Sequence, residues 1–371
     1  IKMAIQGLKL GKKVIIIIEK LSELTQVLKV ANELNVRPLL GLRSKLQTRG
    51  AGKWESSGGD FAQFGLTTPE MLRAVQILQE QNMLDCVKLL HFHIGSQITD
   101  IRTIKDAAKE GSRVYSKLRK MGVAIEYLDV GGGLGVDYDG SRTSFNSSIN
   151  YSLQEYVSDI VYTILEVCRE EEVPEPNIVS ESGRAIVAHH SVLVINVFGE
   201  IEVGASPMPL EESADEPSVV RDMREICSTA NSKNLLESYH DALARKEEAF
   251  SMFKLGFLEL QDKAKVENIF WKICWNIAKL ASSQKYVHEE ITSMIKHLSN
   301  QYLCNFSLFQ SAPDHWAIQQ LFPIMPIHRL NEEPMIQSTL VDITCDSDGK
   351  VDKFIDLRDV RDTLPLHSLN G

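Results

Sequence analysis

Four short segments of this chain carry side chains suited to a single piece of chemistry. They are Leu90-His91-Phe92-His93-Ile94-Gly95-Ser96, Asp129-Val130-Gly131-Gly132-Gly133, Glu181-Ser182-Gly183-Arg184 and Cys345-Asp346-Ser347-Asp348-Gly349. Each of the first three follows a short aliphatic or β-branched stretch. The C-terminal ends of such strands are where an α/β barrel places its reacting groups. An imidazole, a glycine cluster, a carboxylate beside an arginine, and a thiol form a coherent set for holding a phosphorylated, protonated ring.

The elements that must position these groups follow a strand–turn–helix rhythm. Strands are expected at Val14–Glu19, Pro38–Arg43, Val87–Phe92, Ile125–Val130 and Asn177–Ser180. Helices are expected at Leu21–Leu34, Pro69–Gln81, Ile101–Met121 and Asn150–Glu172, the second capped by Thr68 with Pro69 at its first position. Short apolar strands alternating with amphipathic helices imply a parallel sheet covered by helices. No GxGxxG pattern follows the first strand, which disfavours a dinucleotide fold. The expected fold is an α/β chain: a parallel (β/α)8-type barrel, incomplete at its N-terminus, then a β domain interrupted by a helical insertion.

The expected domains are a partial cofactor-binding barrel over 1–195, the start of the β domain over 196–219, the helical insertion over 220–300, and the rest of the β domain over 301–371. Within the last three, strands are expected at Ser191–Val197, Gly199–Val203, Leu321–Ile327, Ser338–Thr344 and Val351–Ile355, with a helix break at Leu255-Gly256. Phe270, Trp271, Ile273, Cys274, Trp275 and Ile277 form a broad apolar face that reads as packing. The chain opens at Ile1 inside what reads as the second half of a helix and stops at Gly371 without a terminating element, so it looks cut at both ends.

Composition narrows the function classes. The 371 residues are 43% hydrophobic and 24% charged, as in a soluble globular protein. A net charge of -10 argues against a nucleic-acid surface. The apolar run Val14–Ile18 is far too short to span a membrane. The six cysteines form no CxxC pair, so neither a disulfide framework nor a zinc knuckle is indicated, and a reducing, cytoplasmic compartment fits.

In its ordered motifs the chain resembles the biosynthetic arginine decarboxylases, members of the alanine-racemase-like (fold-type III) class of pyridoxal-phosphate enzymes. The resemblance runs along essentially the whole chain and is most specific at Leu90–Gln97, Leu128–Gly140, Ile178–His190, Asn305–Leu330 and Asp342–Ile355. It implies decarboxylation of L-arginine to agmatine and carbon dioxide in polyamine biosynthesis. The cofactor would be pyridoxal 5'-phosphate, with Mg2+ by family association, and a homo-oligomer (a dimer or dimer of dimers) would share its active sites between subunits. No cluster of residues in the sequence locates the metal.

Within that resemblance each residue type has a duty. Gly131, Gly132 and Gly133 let backbone amides converge on a phosphate, and Arg184 adds a fork of charged donors. A glycine triplet alone reads equally well as a tight loop; Arg184 after another strand favours the phosphate. The resemblance adds Ser96 at the same end. Glu181 beside the pyridine nitrogen would keep it protonated, where an isolated strand-end glutamate is usually just solvated. His93 would stack on the ring. Strand alternation puts His91 and His93 on one face, so periodicity does not choose between them, and the family motif His-Ile-Gly-Ser selects His93.

Cys345 would return a proton to the substrate's Cα after carbon dioxide leaves. A lone cysteine is most often a small buried hydrophobe, but Asp346, Ser347 and Asp348 are poor company for one. Asp346 and Asp348 would pair with the substrate guanidinium.

Departures from the family are also visible. Gln63 stands where relatives often carry lysine, a charge that Arg43 or Lys53 would replace, and the loop Gly52–Asp60 with Phe64-Gly65 otherwise matches. The lysine that carries the cofactor is expected ahead of Ile1 and a cofactor-holding tyrosine segment beyond Gly371, so this chain alone is expected to be inactive. The alternatives are a decarboxylase of ornithine, lysine or diaminopimelate, or a non-catalytic regulatory homologue. The Asp-rich Cys345 motif and the helical insertion count against the first; the presence of Glu181, Arg184 and Cys345 counts against the second.

Overall fold

The structure is a computed structural model and describes residues 1–48, 62–204, 213, 215–357 and 359–369. The expected match over Gly52–Asp60, Lys53 included, therefore lies outside the described residues. The chain divides into two compact units, Ile1–Val192 and Leu193–Gly371.

The first unit runs α1 (Lys2–Lys9), β1 (Ile15–Ile18), α2 (Leu21–Leu34), β2 (Leu39–Arg43), α3 (Thr68–Glu80), β3 (Val87–His91), α4 (Ile101–Lys120), β4 (Tyr127–Asp129), α5 (Leu153–Glu170), β5 (Asn177–Val179) and α6 (Gly183–Val187). The five strands form one sheet in the order β1-β2-β3-β4-β5, and every pair is parallel. The helices form where the apolar period is helical. In α2, Leu24, Val27, Leu28 and Ala31 recur at helical spacing and are all buried, and Asn35 ends the helix in the left-handed conformation. Ile18, Leu40, Leu42, Leu90 and Leu128 are completely buried in the sheet layer. Each such side chain contributes roughly 1.5–3 kcal/mol of burial. This is what makes short strands of three to five residues sufficient.

One cap differs from expectation. Thr67, not Thr68, caps α3, because Thr67 and Glu70 form a capping box, which moves Pro69 one position inward.

The second unit runs β6 (Val197–Ile201), α7 (Ser218–Thr229), α8 (Leu235–Lys254), α9 (Leu260–Ala281), α10 (Glu289–His297), β7 (Asn300–Cys304), α11 (Leu308–Ser311), α12 (Pro313–Ile318), β8 (Ile336–Val341), β9 (Lys350–Val351), β10 (Phe354–Asp356), β11 (Asp359–Arg361) and β12 (Leu364–Leu366). Strands β6 and β7 pair antiparallel although α7–α10 intervene between them, so the helices are an insertion into a continuous sheet. That sheet has the order β12-β8-β7-β6, with β9 on β8. The inserted helices have their own core, including Val220, Met223, Val266, Ile273, Cys274 and Ile277. Beside it, Glu216 accepts a two-pronged contact from Arg224 (2.9 and 2.9 Å) and one from Lys265 (3.0 Å). Helix α8 ends at Lys254, and Gly256 adopts φ +77°, the expected break.

Two expected strands are absent. Ser191–Asn196 is irregular, and only from Val197 does the chain enter the sheet. Leu321–Ile327 is also irregular; a run of apolar residues there, broken by two prolines, supplies too few donors for a ladder. Strand β7, whose Asn300 and Gln301 hide it in a polar context, was not anticipated from the sequence. Among the described residues no helix is long and apolar enough to cross a membrane.

Candidate functional site

In the first unit the parallel register lines up the C-terminal ends of the strands. Arg43 of β2 is level with His91 of β3, His91 with Asp129 of β4, and Asp129 with Val179 of β5. Parallel neighbours in register carry their side chains on the same face. His93, Gly131 and Glu181 each lie two residues further along, so one row of polar groups follows another at this edge of the sheet.

Phe92 explains why both histidines face the site. Its ring packs on α4, where a Cβ at Gly111 would lie 2.3 Å from a ring carbon. With Phe92 committed to the helix layer, alternation turns His91 and His93 the other way. The two histidines then diverge. His93 is half-buried, and its Nδ1 accepts the Gly132 N–H at 3.1 Å. Its remaining ring proton therefore sits on Nε2. Burial, followed by the Arg43 guanidinium and His91, pushes its pKa below the ordinary value, so the ring is neutral at pH 7. His91 is buried at 5% exposure. Its Nδ1 lies 3.0 Å from Asp129 Oδ2 but without hydrogen-bond alignment.

The glycine loop is drawn tightly against this strand end. Gly131 has φ +70°, and a Cβ there would sit 2.2 Å from the Phe92 carbonyl oxygen. Only glycine satisfies both conditions. Two of the loop's amides are engaged within the chain: Gly131 N–H donates to Asp129 Oδ1 (2.9 Å) and Gly132 N–H to His93. Gly133, at φ +111°, has no hydrogen-bond partner for its N–H among the described residues.

The other end of the site gathers around Arg184. Its Nε and Nη2 donate to Ser96 Oγ (3.3 and 3.1 Å), and its Nη1 donates to Tyr138 OH (3.0 Å). Among the described residues it forms no ion pair, and these partners are hydroxyls. Tyr138 was missed in the sequence, where it reads as one more aromatic in a loop after the glycines. Glu181, exposed beyond β5, is anchored by its N–H to the Gly131 carbonyl at 2.8 Å. A carboxylate, a neutral imidazole and a guanidinium flanked by hydroxyls are the donor set that a phosphorylated pyridine with a protonated ring nitrogen requires. The residues present fit that group.

A cluster invisible in the sequence also emerges here. Ligand atoms of His91, Asp129 and Glu181 all lie within 4.8 Å of one another. Magnesium takes near-octahedral oxygen coordination. A set that includes an imidazole and the carboxylate needed by the ring nitrogen does not fit it.

In the second unit, Cys345, Asp346, Ser347 and Asp348 are exposed in the loop between β8 and β9. Buried Asp342 shapes that loop, accepting from Thr344 N–H (2.8 Å), Thr344 Oγ1 (2.6 Å) and Leu308 N–H (2.8 Å). The Asp348 N–H closes it on Asp346 Oδ1 at 3.0 Å. Gln63, in the first unit, is exposed, while Arg43 is paired with Glu19 at 2.7 Å and lies over the Phe64 ring.

Comparison with known proteins accords with this arrangement. The family model for the pyridoxal-dependent decarboxylase pyridoxal binding domain matches residues 3–188, and that for the arginine decarboxylase helical bundle domain matches residues 213–296. The chain is 53% identical to the biosynthetic arginine decarboxylase of Deinococcus radiodurans, over 99% of this chain and 56% of that protein. It is 48% identical to that of Thermosynechococcus vestitus, over 99% of this chain and 58% of the relative. The chain thus spans less than three-fifths of these relatives' length. Among solved structures it is similar to the biosynthetic arginine decarboxylase of Campylobacter jejuni, with TM-score 0.79 and 32% identity over 100% of this chain and 58% of that one. Diaminopimelate decarboxylase from Helicobacter pylori (TM-score 0.57, 16% identity, 98% of this chain and 61% of that one) shares the fold alone. With half of its length matched by the pyridoxal binding domain and most of the inserted helices by the helical bundle domain, the chain belongs to the pyridoxal-dependent decarboxylases.

Proposed function

We propose that this chain is part of an enzyme that decarboxylates L-arginine to agmatine and carbon dioxide, the committed chemistry of a polyamine pathway, in the cytoplasm. The observation that carries this is the joining of Arg184, Ser96 and Tyr138 at one end of the site with Glu181 and neutral His93 at the other. The 53% identity to a biosynthetic arginine decarboxylase supports arginine as the substrate.

Pyridoxal phosphate, held by these residues, would supply an electron-accepting ring for the decarboxylation. The residues of this chain do the rest. Glu181 accepts the hydrogen bond of the protonated ring nitrogen and so keeps that proton in place. His93, flat and uncharged, restrains the ring without repelling that proton. Arg184, with Ser96, Tyr138 and the Gly133 N–H, binds the phosphate and fixes the ring's position; Gly131 and Gly132 shape the loop that presents Gly133.

Cys345 donates a proton to Cα in the second half of the reaction, and Asp346 and Asp348 orient the substrate guanidinium. Their exposure suits groups that complete a site in a homodimer or a dimer of dimers, in which this loop serves the partner's cofactor. No step is assigned to Mg2+.

The test uses the full natural gene product. Incubated with pyridoxal phosphate and then with arginine, ornithine, lysine or diaminopimelate, it is expected to release carbon dioxide rapidly from arginine alone, with agmatine as product. Faster release from any of the others overturns the substrate assignment. Absence of cofactor absorbance overturns the assignment of the site.

A further inference from the structure

His91 has no duty in the chemistry just described, yet it is among the most constrained polar side chains of the site. It is buried at 5% exposure, and its Nδ1 has no aligned hydrogen-bond partner among the described residues. That nitrogen faces Asp129 Oδ2 at 3.0 Å across the β3–β4 ladder, where the two residues are register partners. The other oxygen of Asp129 accepts the Gly131 N–H at 2.9 Å. The Gly131 carbonyl in turn accepts the Glu181 N–H at 2.8 Å. The circuit closes on itself, because ligand atoms of Glu181, Asp129 and His91 lie within 4.8 Å of one another.

Two carboxylates this close repel unless a donor stands between them. The His91 imidazole lies within reach of both and carries an N–H that can serve either one. Resting on the pyridoxal-phosphate assignment above, we propose that His91 is a positioning residue: it holds Asp129 against the Gly131 loop and thereby keeps the Glu181 carboxylate where the ring nitrogen is received. His91 does not touch the cofactor. It acts through Asp129, and the alternation that made it indistinguishable from His93 in the sequence is what brings it beneath the site.

The experiment is a cofactor titration on the full natural protein, reading the pyridoxal-phosphate Kd and the absorbance maximum of the bound cofactor. The variants are His91→Leu, His91→Asn, Asp129→Asn and the double variant His91→Leu/Asp129→Asn. His91→Leu is expected to raise Kd about tenfold or more and to shift the absorbance band, as loss of a supporting partner does at other preorganised sites. His91→Asn places an amide near the Nδ1 position and is expected to stay within about threefold of wild type. Adding His91→Leu to Asp129→Asn is expected to cost less than about threefold further, because the two act as a unit.

Should His91→Leu not fold, His91→Gln, whose amide sits away from Asp129, is read in its place with the same expectation. A His91→Leu protein with wild-type Kd and wild-type band overturns the proposal, as do single-variant losses that simply multiply. Both outcomes leave the cofactor assignment standing. A wild-type protein that shows no cofactor band overturns that assignment itself.

Discussion

Arg184 reaches back 88 residues to donate two hydrogen bonds to the single hydroxyl of Ser96, from Nε at 3.3 Å and Nη2 at 3.1 Å. The guanidinium spends two donors on one neutral oxygen and a third on Tyr138, and forms no ion pair among the described residues. Replacing Arg184 by lysine retains the charge but loses the fork, so Arg184→Lys is expected to weaken pyridoxal-phosphate binding roughly tenfold and Arg184→Met roughly a hundredfold. Tyr138→Phe is expected to cost about threefold. Cofactor titration by absorbance checks all three, and equal affinities for Arg184→Lys and wild type would argue against the phosphate role.

Cys345 differs from most other cysteines of the chain in being exposed. Burial pushes the Cys274 thiol up to about 12 and those of Cys168 and Cys304 up to about 11, and raises Cys86 as well. Iodoacetamide at pH 8 is therefore expected to alkylate Cys345 first, leaving those four untouched in the native protein. Peptide mass mapping reads the order. In the full natural protein, Cys345→Ala is expected to lower the decarboxylation rate about 10²–10⁴-fold with unchanged cofactor affinity, the range for loss of a general acid.

Gly131 and Gly122 separate conformation from crowding. Both have positive φ, +70° and +86°, but a Cβ at Gly122 meets nothing within 4 Å, whereas one at Gly131 meets the Phe92 carbonyl at 2.2 Å. Gly122→Ala is expected to cost only about 1 kcal/mol of stability. Gly131→Ala is expected to displace the His93–Gly132 contact as well and to abolish cofactor binding. Thermal melts alongside the titration tell the two effects apart.

Glu216 gives the inserted helices a specific weakness in acid. The Arg224 hydrogen bonds, opposed by burial and helped by Lys265, bring its carboxyl from an ordinary 4.5 down to about 2. The folded state thus favours the carboxylate. Its contribution is fully present above about pH 4.5 and is lost as pH falls toward 2. Glu216→Gln removes the carboxylate shared by Arg224 and Lys265, leaving Lys265 its longer contact with Asp262 at 3.5 Å, and is expected to destabilise this unit by about 3 kcal/mol at pH 7. Far-UV circular dichroism in denaturant should show the difference between variant and wild type shrinking as pH falls through that window. A constant difference would count against the ion-pair account.

Much of this protein is decided locally. The apolar period of Leu24, Val27, Leu28 and Ala31 and the aliphatic runs before His91, Asp129 and Glu181 specify helices and strands through backbone geometry alone. Because the strands are parallel, that same local pattern already places the polar residues at one edge of the sheet. Contacts between distant segments are another matter. The pairing of β6 with β7 across the inserted helices, the meeting of His91 with Asp129, and the convergence of Ser96, Tyr138 and Arg184 all depend on register and packing. A slip of one residue in β3 would turn Phe92 toward the site and both histidines into the helix layer. What prevents it is the fit of the Phe92 ring on Gly111, a contact that only the folded chain makes.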